Sequence, residues 1–285
     1  MGFREEIIKR VEKATDLPPL PGVFLKLDKI MADNNSSATD IASVMRDDVA
    51  LTARVLRVAN SAAFGGTIKI TSVSQAVARF GFRQLADLVK SMSLLGLFKG
   101  GGSVDIKQFW LHSLCVASTS ELAPRYLGRM AQNSESLFTA GLLHDVGILV
   151  MELFTGDLYR SVVTMSVDTN QPLLQTEKKL MQIDHAEVGG LVLAKWGIPE
   201  VIADAAARHH TPFKPSEGAL PLSDAIQFAN LICNDNGIAN GTGTVLAKIT
   251  EAEWSEFSFQ TANLPSLKEE IQKVVVRCSS MLAAS

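Results

Sequence analysis

Apolar residues return every three or four positions along nearly the whole chain, and the strict alternation of a half-buried strand is scarce. That period predicts helices over residues 5–15, 23–32, 41–46 and 84–98. Between them lie a helix capped by Asp47 and Asp48 that runs to Asn60, and one started by Ser72 or Ser74 that runs to Phe80. Helices are further expected over 106–127, 134–153, 158–167, 176–181, 186–196, 199–210, 222–234 and 267–284. The breaks are as informative as the runs. LPPLPG at 17–22 is rigid, DNNSS at 33–37 is a polar turn, and NSAAFGG at 60–66 interrupts the pattern. KGGGS at 99–103 is the clearest linker, and NGIANGTGT at 236–244 reads as a flexible loop. Asp184 with Glu187 forms a capping box, and Pro199 suits a first helical position. The pattern predicts an all-α, two-lobed helical bundle, with residues 1–100 in one lobe and 101–285 in the other.

Composition narrows the classes. The 285 residues are 47% hydrophobic and 20% charged, which fits a compact chain rather than a disordered one. A net charge of −3 leaves no electrostatic footprint for nucleic acid. Uninterrupted apolar runs such as 147–151 are too short to span a bilayer, and MGFREEIIKR lacks a signal-peptide apolar region. No membrane partner and a cytoplasmic location are therefore expected. The three cysteines, Cys115, Cys233 and Cys278, are far apart and form no Cys-x-x-Cys pair, as suits reduced thiols.

The chemistry concentrates in the second lobe. GLLHDVGILV at 141–150 sets an imidazole and a carboxylate inside an apolar run, where each is costly to bury without a partner. All five histidines, His112, His144, His185, His209 and His210, lie beyond residue 100. With Asp145 they make a nitrogen and oxygen ligand set suited to Fe, Mn, Zn, Ni or Co rather than Ca, as one ion or as two bridged by the carboxylate. Taken singly, each histidine is equally compatible with a satisfied core residue. Their confinement to one lobe points to convergence. GGGS at 100–103 lacks the Lys-Ser/Thr ending of a phosphate-binding loop, and no nucleophilic triad is visible.

The order His112, His144–Asp145, His185, His209–His210 resembles the HD superfamily of metal-dependent phosphohydrolases. LPPLPGVFLKLDKIM, then DIASVMRDDVALTARVLRVANSAAFG, GLLHDVGIL, DHAEVGGLVLAKWGIP and ARHH, resemble the HDOD family more specifically, over about residues 10–234. The resemblance implies an α-helical regulatory module of bacterial signal transduction, with an HD-like second lobe and protein partners in a signalling pathway. It also implies a metal site at His112, His144, Asp145, His185, His209, His210 and Asn230. Asn230 stands where the superfamily has an aspartate, so a neutral carbonyl oxygen replaces an anion and the site is degenerate. Relatives that cleave cyclic di-GMP carry a lysine three residues after the aspartate and a GYP motif after the histidine pair. Here those places hold Ile148 and TPFKPSEGALP, which argues against that activity. Two function classes follow: a regulatory module acting through protein or ligand binding, or a metal-dependent phosphohydrolase acting on a phosphoester or nucleotide. No catalytic residue is assigned at this stage.

Overall fold

The computed structural model describes residues 2–13, 17–33, 35–64, 69–98, 102–213, 218–246 and 248–283. The end of the first expected helix at 14–15, residues 65–66 of the NSAAFGG break, 99–101 of the linker, 214–217 after the histidine pair, and residue 284 lie outside the described residues. The fold is all-α: the chain is 71% helical, without a strand among the described residues.

Contacts within the chain divide it into two units, residues 1–17 with 100–274, and residues 18–99 with 275–285. The chain begins with α1 (Phe3–Lys13) in the larger unit. The smaller unit holds α2 (Gly22–Ala32), α3 (Ala38–Arg46), α4 (Val49–Ala59), α5 (Val73–Phe80) and α6 (Phe82–Leu94). The larger continues with α7 (Ile106–Ser120), α8 (Ala123–Tyr126), α9 (Leu137–Leu143), α10 (Val146–Thr155), α11 (Asp157–Asp168) and α12 (Leu173–Met181). Then come α13 (His185–Lys195), α14 (Glu200–Arg208), α15 (Leu222–Asp235) and α16 (Glu251–Glu256), and last α17 (Leu264–Ala283), of which residues 264–274 belong to the larger unit and 275–283 to the smaller.

In the smaller unit α2 packs on α3 and α6, while α4 and α5 also pack on α6. Asp48 accepts the Leu51 N–H at 2.8 Å and so caps α4. Asn60 ends α4 and ties down the following segment: its amide donates to the Ile70 carbonyl and its Oδ1 accepts the Ile70 N–H, both at 2.7 Å. Phe64 and Phe80 meet edge to face at 5.4 Å. Asp48 and Asn60 thus hold the helix start and the loop of their own unit. Inside the unit, Lys90 is buried against Asp28 at 3.0 Å and lies over the Phe24 ring.

In the larger unit α7 crosses α9 and α15, α10 crosses α13, and α13 packs on α14. Two glycines permit the closest crossings. A Cβ on Gly141 would sit 2.6 Å from the Ala117 Cα, and one on Gly147 would overlap the His185 carbonyl and lie 2.7 Å from the Gly189 nitrogen. The sequence reading places α1 in the first lobe. In the structure its buried Ile7 and Val11 pack against α13 and α10, and Arg4 pairs with Glu187, because an amphipathic stripe settles on whichever apolar face the fold offers.

Two helices expected to be continuous are broken. The 106–127 prediction splits into α7 and α8 because Pro124 lacks the N–H of a helix interior. The 134–153 prediction breaks at His144 and Asp145, where the chain leaves α9 and re-enters α10. Ser134–Thr155 is, by length and hydropathy alone, sufficient for a membrane span, yet 89% of its apolar window is buried inside the unit. Helix α16 was not anticipated, although the Thr250–Glu253 capping box that starts it is legible. The 236–244 segment is packed rather than loose, with Ile238 and Thr242 buried.

Candidate metal centre

His112 stands mid-helix on α7, His144 and Asp145 in the break between α9 and α10, His185 opens α13, and His209 and His210 follow α14. All six converge. The ligand atoms of Asp145, His185, His209 and His210 lie within 4.8 Å of one another, as do those of His112, His144 and Asp145. Asp145 belongs to both groups.

Three rings are fixed in the same way. The Nδ1 of His112 donates to the Ile238 carbonyl at 2.7 Å, that of His144 to Gly141 at 2.7 Å, and that of His209 to Ala206 at 2.6 Å. A carbonyl can only accept, so each Nδ1 carries the hydrogen. In His144 and His209 the bond runs three residues back, onto a carbonyl at the helix end. For His144 that carbonyl is the one the Asp145 N–H would take in a continuous helix, which accounts for the break. It also accounts for the pair at 209–210. The helix expected to run through His210 stops at Arg208, so the two neighbours need not point 100° apart. Their rings lie 4.0 Å apart.

The consequence is a set of unmet atoms. His112 Nε2, His144 Nε2, His209 Nε2 and Asp145 Oδ1 are buried without a hydrogen-bond partner. The Asp145 Oδ1 lies 3.2 Å from His209 Nε2 and 3.5 Å from the Nε2 atoms of His144 and His185. His112 Nε2 is 3.8 Å from Asp145 Oδ2. Burial pulls the His112 imidazole down and brings His144 to about 3, so both are neutral at pH 7. Burial alone would raise the Asp145 carboxyl, but the surrounding imidazoles, His144 foremost, hold it well below the usual carboxylate range. Neutral ring nitrogens and an ionised carboxylate oxygen, desolvated and unpaired, fit a cation.

His185 is held differently. Its Nδ1 meets Glu177 Oε2 at 2.6 Å, its backbone N–H donates to the same oxygen at 3.1 Å, and Tyr159 donates its hydroxyl to Glu177 Oε1 at 2.6 Å. Burial pulls this imidazole down, but the charge and hydrogen bond of Glu177 outweigh it and raise its pKa to about 9. As an imidazolium it also donates from Nε2 to His210 Nε2 at 2.9 Å. His210, lowered well below its ordinary value by burial and by His209, is the acceptor.

Asn230 is buried on α15 beside the His112 ring, and its Oδ1 accepts the Asn234 amide at 3.1 Å. Arg208 pairs with Asp204 at 3.5 Å on an exposed face, and Lys195 reaches the Glu12 carbonyl at 2.7 Å. Sequence reasoning missed Glu177, Tyr159 and Asn240. The Asn240 amide donates to Asp145 Oδ2 at 3.2 Å from within the loop read as flexible. Nothing local marks Glu177: it sits eight residues before His185 on a helix of mixed polarity, and only the packing buries it.

A cavity of about 230 Å³ opens on the cluster. Asp145, His185, His209 and His210 line one side, and residues of α15, the 236–246 segment and Glu253 line another.

The sequence matches the HDOD domain family over residues 17–212. An HDOD domain protein of unknown function from Geobacter sulfurreducens is similar to it in structure, with a TM-score of 0.77 and 25% identity over 95% of this chain and 98% of that one. A candidate signal transduction protein from Marinobacter aquaeolei VT8 superposes with a TM-score of 0.77 at 21% identity, covering 99% of this chain and 64% of that one. A candidate phosphohydrolase from Shewanella amazonensis SB2B gives 0.70 at 22% identity, covering 98% and 97%. The last two likenesses concern the fold. An uncharacterized protein of Treponema pallidum (strain Nichols) is 26% identical over 221 residues, 77% of this chain, and the chain spans only 42% of that relative's length. The helical signature of the smaller unit, the converging histidines and the match over 17–212 lead to one conclusion: the chain belongs to the HDOD domain family.

Proposed function

We propose that this chain is a regulatory module of signal transduction whose larger unit holds a divalent transition metal, and that it acts by binding rather than by turnover. The observation that carries the metal reading is the convergence of three unpartnered imidazole nitrogens on the buried carboxylate of Asp145, whose Oδ1 is also unpartnered. His112, His144 and Asp145 would hold one ion, with His185, His209 and His210 forming a second position that shares Asp145, and Asn230 in support. Fe, Mn, Zn, Ni and Co suit these donors. A bound cation lowers the pKa of a coordinated water and neutralises anionic oxygens.

Two features favour binding over hydrolysis. Asn230 contributes no charge, so a single carboxylate faces the ion directly. Among the described residues that line the cavity there is neither lysine nor arginine to grip a transferred phosphoryl group. Protein partners in a signalling pathway are the natural readers of such a module. A phosphohydrolase acting on a phosphoester or nucleotide is the competing reading, favoured by the open path from cavity to cluster.

Elemental analysis of protein purified without chelator tests the first claim. We expect a stoichiometric transition metal, lost in His144→Ala. Metal-free protein whose stability is indifferent to His144→Ala would remove the reading. The second claim fails if the loaded protein turns over a phosphodiester at rates typical of enzymes, about 1 per second or faster.

A further inference from the structure

Three rings of the cluster are anchored through Nδ1, and one anchor differs from the other two. His144 and His209 bond carbonyls of the helices they end, whereas His112 donates to Ile238, 126 residues away. The segment that supplies this carbonyl, residues 236–246, follows α15 and lies beyond the stretch matched by the family. It grips the centre a second time at Asn240. An ionised carboxylate only accepts, so the Asn240 amide nitrogen faces Asp145 Oδ2, at 3.2 Å, and its carbonyl faces away. The Thr242 hydroxyl donates to that carbonyl at 2.8 Å and so fixes the orientation of the amide. A third anchor lies off the cluster: the Asp105 N–H, at the N-cap of α7, donates to the Gly241 carbonyl at 2.8 Å. The approach there is close, since a Cβ on Gly241 would overlap the Asp105 carbonyl. Ile238 and Thr242 are buried, whereas Val245 is exposed at the mouth of the cavity.

We infer that residues 236–246 are a strap coupled to the metal centre: the ion holds the strap down, and the docked strap holds the ion. The inference deepens the proposed function and rests on its metal reading. The link is the two ligands that the strap touches. A ligating imidazole is oriented by the acceptor on its other nitrogen, and a ligating carboxylate by the donors on its oxygens. A cation on His112 Nε2 polarises the ring and makes its Nδ1–H a stronger donor to Ile238. A cation on Asp145 removes the freedom of that carboxylate to turn away from Asn240. Both effects favour the docked strap. Coupling is reciprocal, so the factor by which the ion favours docking is the factor by which docking favours the ion. His112, His144 and Asp145 are almost wholly buried, and a partner cannot read them directly. The strap runs from them to the surface, where their occupancy becomes readable.

Hydrogen–deuterium exchange of the full chain, chelator-treated and then loaded with Zn²⁺, reads the strap directly, with metal content measured first. Two reporters apply: peptides spanning 236–246, and the Asp105 amide, whose acceptor is the strap. Loading should slow exchange at both by at least about fivefold, while peptides of α3 and α4 in the smaller unit stay unchanged. Gly241→Ala, which touches no ligand, should weaken Zn²⁺ by that same factor, measured by competition with a chromophoric chelator. Asn240→Ala should weaken it at least as much, and Thr242→Val, which only frees the amide, by less. Circular dichroism checks the fold of each variant; if Gly241→Ala misfolds, Thr242→Val carries this arm. Loaded protein whose strap exchanges as before, or faster, overturns the inference and leaves the metal reading standing. So does an affinity that ignores all three variants. Affinity lost in Asn240→Ala alone also overturns it, since Asn240 would then orient Asp145 without a coupled strap. Protein that takes up no ion sinks the metal reading, and the coupling falls with it.

Discussion

Glu177 Oε2, on a carboxylate with no solvent exposure, accepts from both the ring Nδ1–H and the backbone N–H of His185, at 2.6 and 3.1 Å. A carboxylate behind a metal-facing imidazole fixes the ring's orientation and raises its basicity. Glu177→Gln should therefore weaken the metal about 10–100-fold by isothermal titration. Tyr159→Phe, which removes one hydrogen bond from the same carboxylate, should do less. Equal affinity in Glu177→Gln and wild type would mean that His185 lies outside the coordination.

Gly147 is where α10 touches the backbone of α13 at His185. Gly147→Ala places a methyl against that carbonyl, and neither backbone can yield without shifting His185. We expect a loss of stability at the upper end of, or beyond, the about 1–3 kcal/mol typical of overpacking, together with lower metal stoichiometry. Denaturant midpoints and elemental analysis of the same sample check both halves.

The metal-free protein should be most stable near pH 6.5. His144, held at about 3 against an ordinary 6.5, cannot take a proton that the unfolded chain takes. Its effect is to remove stability as the pH falls from 6.5 toward 3, by up to about 1.4 kcal/mol per pH unit. His112 and His210, also lowered, act with the same sign. His185 acts oppositely: raised to about 9, it contributes stability that is complete below 6.5 and is lost as the pH rises toward 9. Urea midpoints of chelator-treated protein, measured between about pH 4 and 9, should trace a maximum with falling limbs on both sides. A flat acid limb would contradict the neutral, buried rings.

Asn230→Asp restores an anion beside His112 and should tighten metal binding. An unchanged affinity would place residue 230 outside the site.

Asn60→Ala removes the amide that joins the end of α4 to Ile70 in the smaller unit. It should lower stability by about 1–3 kcal/mol while leaving the metal content of the larger unit intact. Loss of metal in this variant would show that the two depend on each other.

Much of this was legible along the chain. The 3.6 period located most of the helices, since a helix must bury one stripe wherever it packs, and the family signature was readable in the residues themselves. The confinement of all five histidines to one half of the chain marked the candidate ligands before any geometry. Their confinement also pointed to convergence, but the means of it was not legible, because it depends on two helix endings. His144 and His209 each turn Nδ1 onto the carbonyl three residues back, and that competition between side chain and backbone is weaker in the sequence than the apolar period that runs across it. Glu177 and Asn240 were invisible for a related reason. Both look like ordinary surface polarity, and only the turn from α12 into α13 and the docking of the 236–246 segment bring them to His185 and Asp145. The sequence by itself determined which side chains were available for chemistry and that they would ride on helices, since composition and periodicity are local properties. The tertiary structure alone decided which of them lost their water, because burial and pairing depend on neighbours that are remote in the chain.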